Sequence, residues 1–556
     1  MTNYLPDNAS LENLKKQAKT LLKRVHDGDE ETIAQIRSSH PQFSELDPKS
    51  LKLADSQLLL ARYYGFNSWT ELKRSLQPDD DVTNEFLRAA ILRYGGSFEM
   101  DIEKAKRLLL ENPTLAEVNI WTAATLGNAA AVERFLDEQP ELVNKKGGFF
   151  DEAPLLYVCY SRAQFDDSSY DALATAKLLL ERGADANAHY LTHGTYRFTC
   201  VTGAIGEGEN GPVMCPPHPH ATELVALLLQ HGANPNDGQG LYDSMFTGGT
   251  HWIQLLLDHG LKQGHRINWA ENDGVTTLDY LLAHAAKQNM IDRVELLLQH
   301  GADPNCIDWY DKKPVHQLAL KNGNTRVVEL LVEHGAKPIA PSSPKEAFYN
   351  ACMAVDRETV DRMTSEHSEA KVRSWLGASK NHVALAAEAN KPDAVRYLLE
   401  LGFPIEQALF EAAWNGHLEI ARILIENGAL ASKRNPDHGV TPIAYADRAG
   451  QKEVFNFLME QEVDIFDAVR FGDIAKVEAV LAASPEAINE RYRDYTSAKS
   501  DWSEHTPLLH AVVLGRDEIA CWLLGAGADS TVKLRGQSVL EIASQNDCDQ
   551  LVEALR

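Results

Sequence analysis

Long apolar runs are missing from this 556-residue sequence; no stretch approaches 18 apolar residues, which excludes a membrane-spanning helix. Basic clusters are missing too. Lys and Arg number 54 against 80 Asp and Glu, a formal charge of −26. A field of that sign repels phosphate backbones, so neither nucleic acid nor an anionic membrane is an expected partner. Cysteine is sparse: the seven residues Cys159, Cys200, Cys215, Cys306, Cys352, Cys521 and Cys548 are odd in number, far apart and without a CxxC pair. That excludes a disulfide framework and fits a reducing compartment. The opening MTNYLPDNASLENLKKQAK has no apolar core of a secretory signal, so a cytoplasmic location is expected. No nucleophile elbow, HExxH, Walker A or kinase string occurs, and no cofactor is expected. What is present is ordinary globular composition, 44% hydrophobic and 24% charged, which excludes a disordered or collagen-like chain.

The chain repeats itself. A leucine-rich segment closed by glycine recurs as AKLLLERGADAN from Ala176, ALLLQHGANPN from Ala226, QLLLDHG from Gln254, ELLLQHGADPN from Glu295, ELLVEHGAKP from Glu329, YLLELGFP from Tyr397, ILIENGA from Ile423 and WLLGAGADST from Trp522. Gly301 and Gly335 are 34 residues apart; Gly335 to Gly402 is 67 and Gly428 to Gly527 is 99, near-multiples of one period with degenerate units between. Each glycine suits a left-handed helix terminus. Each leucine face finds cover only against a neighbouring repeat, so stability is a property of the stack.

Lys313-Pro314-Val315-His316, Thr441-Pro442-Ile443-Ala444 and Thr506-Pro507-Leu508 complete a pattern that resembles ankyrin repeats. The resemblance implies an all-α solenoid of about 12–14 partly degenerate helix-turn-helix units, with short finger hairpins beside a concave groove. It divides the chain into an N-terminal helical module over 1–77, repeats over 84–337 containing a polar insert at 188–221, and C-terminal repeats over 345–556. The first segment resembles the helical module ahead of repeats in bacterial ankyrin proteins, through LENLKKQAK and ADSQ…YGFNSW, and is expected to cap the first repeat's apolar flank. Amphipathic spacing places Leu14, Ala18, Leu21, Leu22 and Val25 on one helical face.

Two places break the rhythm. Gly183 to Gly232 is 49 residues, and the excess lies in Ala188–Ala221; a second enlarged finger spans Arg491–His505. Long loops in compact architectures carry function disproportionately. In the first, Glu207 and Glu209 stand near His218 and His220, the minimum pairing for metal-independent acid–base chemistry, while Tyr190, Tyr196 and Arg197 are candidates to bind an anionic or hydroxylated group. Gly206-Glu207-Gly208-Glu209-Asn210-Gly211 fits GxGxxG only formally, because its carboxylates repel phosphate and prolines follow. Cys200, His189, His193, Cys215, His218 and His220 include metal-ligand types, but their spacing matches no familiar zinc site and no metal is expected.

Finger aromatics give the stronger signal. Trp269, Trp309 and Tyr310, flanked by Asp308, Asp311, Glu271 and Asp273, with Tyr492, Tyr495 and Trp502 later on, are residue types that dominate binding energy. The expected function is a protein or peptide interaction scaffold whose acidic, aromatic groove prefers a basic partner. The alternative is an enzyme or small-ligand receptor, for a sugar or cationic metabolite, with its pocket under the 188–221 insert.

Overall fold

The computed structural model describes residues 11–39, 47–64, 66, 69, 72–73, 81–94, 100–163, 170–192, 196–209, 211–267, 275–378, 381–405, 407–435, 439–493, 504–534, 536–546 and 548–556. It forms two compact units, Met1–Tyr280 and Leu281–Arg556. Helices dominate both, and strands among the described residues are confined to three two-stranded antiparallel hairpins. The expected all-α class holds.

The first unit opens with helices Leu11–His26, Glu30–Ser39 and Leu53–Tyr63. Leu14 and Ala18 pack with Leu60, Ala61 and Leu72, while Val25 joins Ile33, Ile36, Leu51 and Leu59. The module therefore has cores of its own, built on the amphipathic face read from the sequence. Asp81 then caps the helix Val82–Ala90, its Oδ1 accepting the Thr83 N–H at 3.0 Å.

Fourteen helix pairs follow among the described residues, from Val82–Ala90 with Ile102–Glu111 to Val539–Gln545 with Asp549–Leu555. The marker glycines all take left-handed φ, from +84° at Gly402 to +106° at Gly260, where a side chain would be strained. Within the leucine runs two side chains go inward, as at Leu179–Leu180, Leu256–Leu257, Leu297–Leu298 and Leu330–Leu331. In the second unit one core runs from Phe348 to Val552.

Polar stitches join the repeats. The residue preceding a second helix reaches back to the carbonyls ending the previous repeat's first helix: Asn324 Nδ2 to Ala286 O at 2.8 Å, Gln451 Nε2 to Trp414 O at 3.1 Å and Arg516 Nη2 to Arg470 O at 2.7 Å. Lys391 Nζ donates to Asn322 O, Gly323 O and Met353 O together. A second set uses the asparagine at the finger base, where Asn144, Asn187 and Asn305 donate to Gly183 O, Gly232 O and Gly335 O. The xHG histidines bond within their own helix, for example His300 Nδ1 with Leu296 O at 2.8 Å.

The Ala188–Ala221 stretch differs from the expected added insert. Strands His189–Thr192 and Tyr196–Thr199 form a long finger, and Cys200–Ile205 is the repeat's own first helix. The surplus is therefore divided between that finger and the connection from Gly206 to the helix Ala221–Gln230. In the late finger Tyr492–Arg493 pairs with Glu504–His505; Tyr495 and Trp502 lie outside the described residues, as do Trp269, Glu271, Asp273 and His193.

One buried carboxyl works against the stack. Asp467, on the helix Ile465–Arg470, is 5% exposed, and its Oδ2 has no hydrogen-bond partner among the described residues. Burial first, then the neighbouring Asp464, raises its pKa to about 7. The folded state holds this proton more tightly than the unfolded chain, so stability is greatest below about pH 4 for this group and falls as pH rises toward 7. Asp467→Asn should flatten that part of the pH–Tm profile and raise Tm at pH 8; thermal melts across pH 4–8 check it, and a parallel pair of profiles would refute it.

Candidate functional site

The long finger is fixed from below by aromatic packing. The Tyr190 ring stacks on Phe198 at 5.5 Å, sits 5.4 Å from Tyr160, and lies under the Arg93 guanidinium at 3.5 Å. Tyr190 Oη accepts the Tyr94 N–H at 3.2 Å, and Tyr160 Oη donates to Thr199 O at 2.8 Å. Arg93 also pairs with Glu152 at 3.3 Å, both side chains being nearly solvent-free. The cavity among these groups has a volume of about 10 Å³, room for one water. Tyr190, expected at a binding surface, is 3% exposed and anchors the finger instead. Tyr196 and Arg197 stay at the surface.

The following loop is held by an internal cation. Arg162 donates from Nε to Pro216 O at 2.6 Å, from Nη2 to Gly203 O at 2.6 Å, and from Nη1 to Ser161 O at 3.0 Å and Cys159 O at 3.2 Å. Burial lowers its pKa to about 10, so it stays charged at neutral pH. Gly206 has no space for a side chain, because a Cβ would come within 2.5 Å of Pro216 O. Glu207 is itself left-handed at φ +67°, a conformation costing a non-glycine residue of order 1–3 kcal/mol. Its N–H donates to Cys215 O at 2.6 Å, and its Oε2 accepts from Thr247 Oγ1 at 2.6 Å.

These partners change the expected chemistry. His218 Nδ1 accepts the His220 N–H at 3.0 Å, and burial, aided by Arg162 and His220, drives its pKa down to about 3. An imidazole so tuned is poorly matched to proton transfer near neutral pH. Glu207 and His218 are buried, each held by its own partner, while Glu209 and His220 are exposed and Glu209 bonds Tyr242 Oη. Among the described residues no group of three or more His, Cys, Asp or Glu is placed to hold a metal.

Sequence reasoning missed the acids beneath this loop. Asp237 caps the helix Gly238–Asp243 through Gly240 N–H at 2.8 Å and accepts from Thr199 and Thr202 hydroxyls. Asp243 accepts from Gln239 Nε2 at 2.9 Å, while its other oxygen has no partner among the described residues. Burial, then the charges of Asp237, Glu209 and Glu207, hold its pKa well above the usual range, against the Gln239 bond. The available signal was Asp237 ahead of Gly238 and Gly240, the spacing of a helix cap. Arg197 and Asp237 line a cavity of about 40 Å³ with Asn187, Asn234 and Asn236.

The Trp309 finger is built differently. Asp308 is 4% exposed, and its Oδ1 accepts the N–H groups of Tyr310 at 2.9 Å and Asp311 at 2.6 Å. With Lys312 left-handed at φ +53°, this bends the tip so that Tyr310 stands 60% exposed. Trp309 is half-buried under Lys312 Nζ, 4.0 Å from the ring centroid. Asp311 is paired with Lys287 at 2.7 Å, a contact that lowers its pKa. Of the four acids expected to line the groove, Asp308 shapes the turn and Asp311 is paired with Lys287, while Glu271 and Asp273 lie outside the described residues.

The stacked pairs, glycine-closed leucine helices and fingers define an ankyrin-type repeat protein. The model for "Ankyrin repeats (3 copies)" matches residues 241–342, 281–374, 348–435 and 383–468. Human cyclin-dependent kinase 4 inhibitor B is 37% identical over 133 residues, 23% of this chain and 94% of that protein. The mouse inhibitor of the same name is 39% identical over 119 residues, covering 21% and 88%. Ankyrin repeat protein nuc-2 of Neurospora crassa is 27% identical over 209 residues, 34% of this chain and 18% of that protein. The chain belongs to the ankyrin-repeat family.

Replacing Arg162 leaves four buried carbonyl acceptors without their donor. Arg162→Met should therefore lower stability by about 3 kcal/mol or more, with faster hydrogen exchange across 206–220. Arg197→Ala, at the surface, should stay within about 0.5 kcal/mol of wild type. Urea unfolding of both variants checks the contrast, and equal midpoints would contradict it.

Proposed function

We propose that this chain is a scaffold that holds a protein or peptide partner on its finger side, with the Trp309–Lys313 tip as a principal contact. The observation that carries this reading is Tyr310, a large aromatic held 60% exposed on a rigidly hydrogen-bonded tip. Such a side chain buries much area for few lost rotamers. Family membership supports the class: the human relative is by its name an inhibitor of a kinase, and nearly its whole length is matched. The pairing of Asp311 with Lys287 and the burial of Asp308 reduce the negative charge these two residues offer a partner.

A small-ligand or enzymatic reading finds less support at the 188–221 region. The two cavities found there among the described residues, of about 10 and 40 Å³, fall far below the roughly 300–1,000 Å³ of small-molecule sites.

Affinity purification with wild-type chain, followed by titration of the identified partner, tests the proposal. Tyr310→Ala and Trp309→Ala should each weaken that partner's binding by about 2 kcal/mol with unchanged melting. Asp308→Ala should weaken binding and also cost about 1 kcal/mol of stability through the lost turn bonds. Equal partner affinity for wild type, Tyr310→Ala and Trp309→Ala would place the contact elsewhere.

A further inference from the structure

Three successive repeats of the second unit border an open cavity of about 360 Å³, whose lining includes Lys313, Lys321, Lys345, Glu346, Tyr349 and His382. The lysines come from different places: Lys313 closes the Trp309 finger, Lys321 ends the helix Val315–Lys321, and Lys345 opens the helix Pro344–Met353. Among the described residues, no carboxylate lies within ion-pair distance of any of the three ammonium groups. Several arginines of the same unit are paired: Arg326 with Glu329 and Glu333, Arg357 with Glu400, Arg396 with Asp393 and Glu419. In a chain of net charge −26, three lysines lining one cavity without an ion pair among the described residues are a local inversion of the field.

The one carboxylate present is occupied. Glu346 accepts from the Ser342 N–H at 2.7 Å, from Ser342 Oγ and from Gln317 Nε2 at 3.2 Å, bonds that hold its pKa low. Asn350 is 7% exposed and is among the lining residues; its amide oxygen is shut off from solvent and has no hydrogen-bond partner among the described residues. A buried amide left so is costly. The Tyr349 ring, 4.2 Å from His382 and 5.5 Å from Lys345 Nζ, gives the cavity an aromatic wall.

We propose that this cavity is a binding site for a phosphomonoester. Three ammoniums line the cavity against one carboxylate, and Asp311, within electrostatic reach of Lys313 and Lys321, is itself offset by Lys287, which leaves a positive surplus of the size a phosphate dianion cancels. The volume exceeds what a bare anion fills and lies at the lower end of organic-ligand sites, so the ester's organic part rests against Tyr349. The same chemistry arises from a free sugar phosphate or from a phosphorylated side chain of a bound protein. The site shares Lys313 with the fingertip but neither Trp309 nor Tyr310, so Tyr310→Ala tests the fingertip alone and Lys345→Gln the cavity alone.

Isothermal titration of the full chain at low salt tests this with three probes: glucose 6-phosphate, a phosphoserine hexapeptide, and that peptide unphosphorylated. Binding of at least one phosphorylated probe is expected, about tenfold or more tighter than the unphosphorylated peptide. It should fall by about tenfold or more in Lys313→Gln/Lys345→Gln, and remain in the control Lys337→Gln, with melting unchanged throughout. Tighter binding of the phosphopeptide assigns the phosphate to a protein partner; tighter binding of glucose 6-phosphate assigns it to a metabolite. No binding of either phosphorylated probe, or equal affinity for the lysine variant and wild type, would overturn the proposal. If the double variant melts lower, the single Lys345→Gln and chemical-shift changes at Tyr349 and His382 on adding each probe decide the same question.

Discussion

A short helix cannot satisfy the carbonyls at its own C-terminus, and in this chain the donors that meet them belong to the next repeat. Asn324, Lys391, Gln451 and Arg516 all stand just before a second helix and all reach back to the end of the preceding first helix. Leucine burial supplies most of the driving force for stacking, but it is non-directional. The carbonyl stitches set the distance and rotation between neighbours, because a misplaced repeat would leave both donor and acceptor unmet in a dehydrated interface. The finger-base asparagines do the same on the other side of the repeat. Side-chain identity is free to vary from Asn to Lys to Gln to Arg, since the requirement is only a donor of the right reach.

The irregular repeat of the first unit uses one such donor at greater depth. Among the described residues Arg162 donates to four carbonyls and to no counter-ion. A guanidinium tolerates this because it is weakly hydrated and presents several donors in one plane. Its role explains how a proline-rich connection can lie against the repeat without a helix of its own length. The carboxylates and imidazole that look catalytic in a linear reading are drawn into the same job, with Glu207 tied to Thr247 and His218 to the next turn of backbone.

Net charge is a poor guide to the local field. The fingertip acids at Asp308 and Asp311 are consumed by a turn and by Lys287, whereas Lys313, Lys321 and Lys345 meet in one cavity without a carboxylate partner among the described residues. A surface that is acidic on average can thus present a cationic pocket beside an aromatic tip. At short range the sign that matters is set by which charges are already paired.

The sequence alone carried the repeat period, the all-helical class, the glycine-closed helix ends and the inward leucines, because each follows from local preference and periodicity. Tyr310 was legible as an exposed aromatic for the same reason: it lies in a short finger between two clear helix signals. The fates of Tyr190, Glu207, His218 and Asp308 were not legible. Tyr190 and Tyr196 are six residues apart on one hairpin, and only the aromatic bed supplied by Arg93, Tyr160 and Phe198 decides that the first is an anchor and the second is exposed. The lysine cavity was likewise hidden, since Lys313 and Lys345 are brought together only by stacking of repeats 32 residues apart in sequence. Periodicity fixes which residues a repeat contains, while burial, pairing and proximity across repeats depend on the stack, and those decide chemistry.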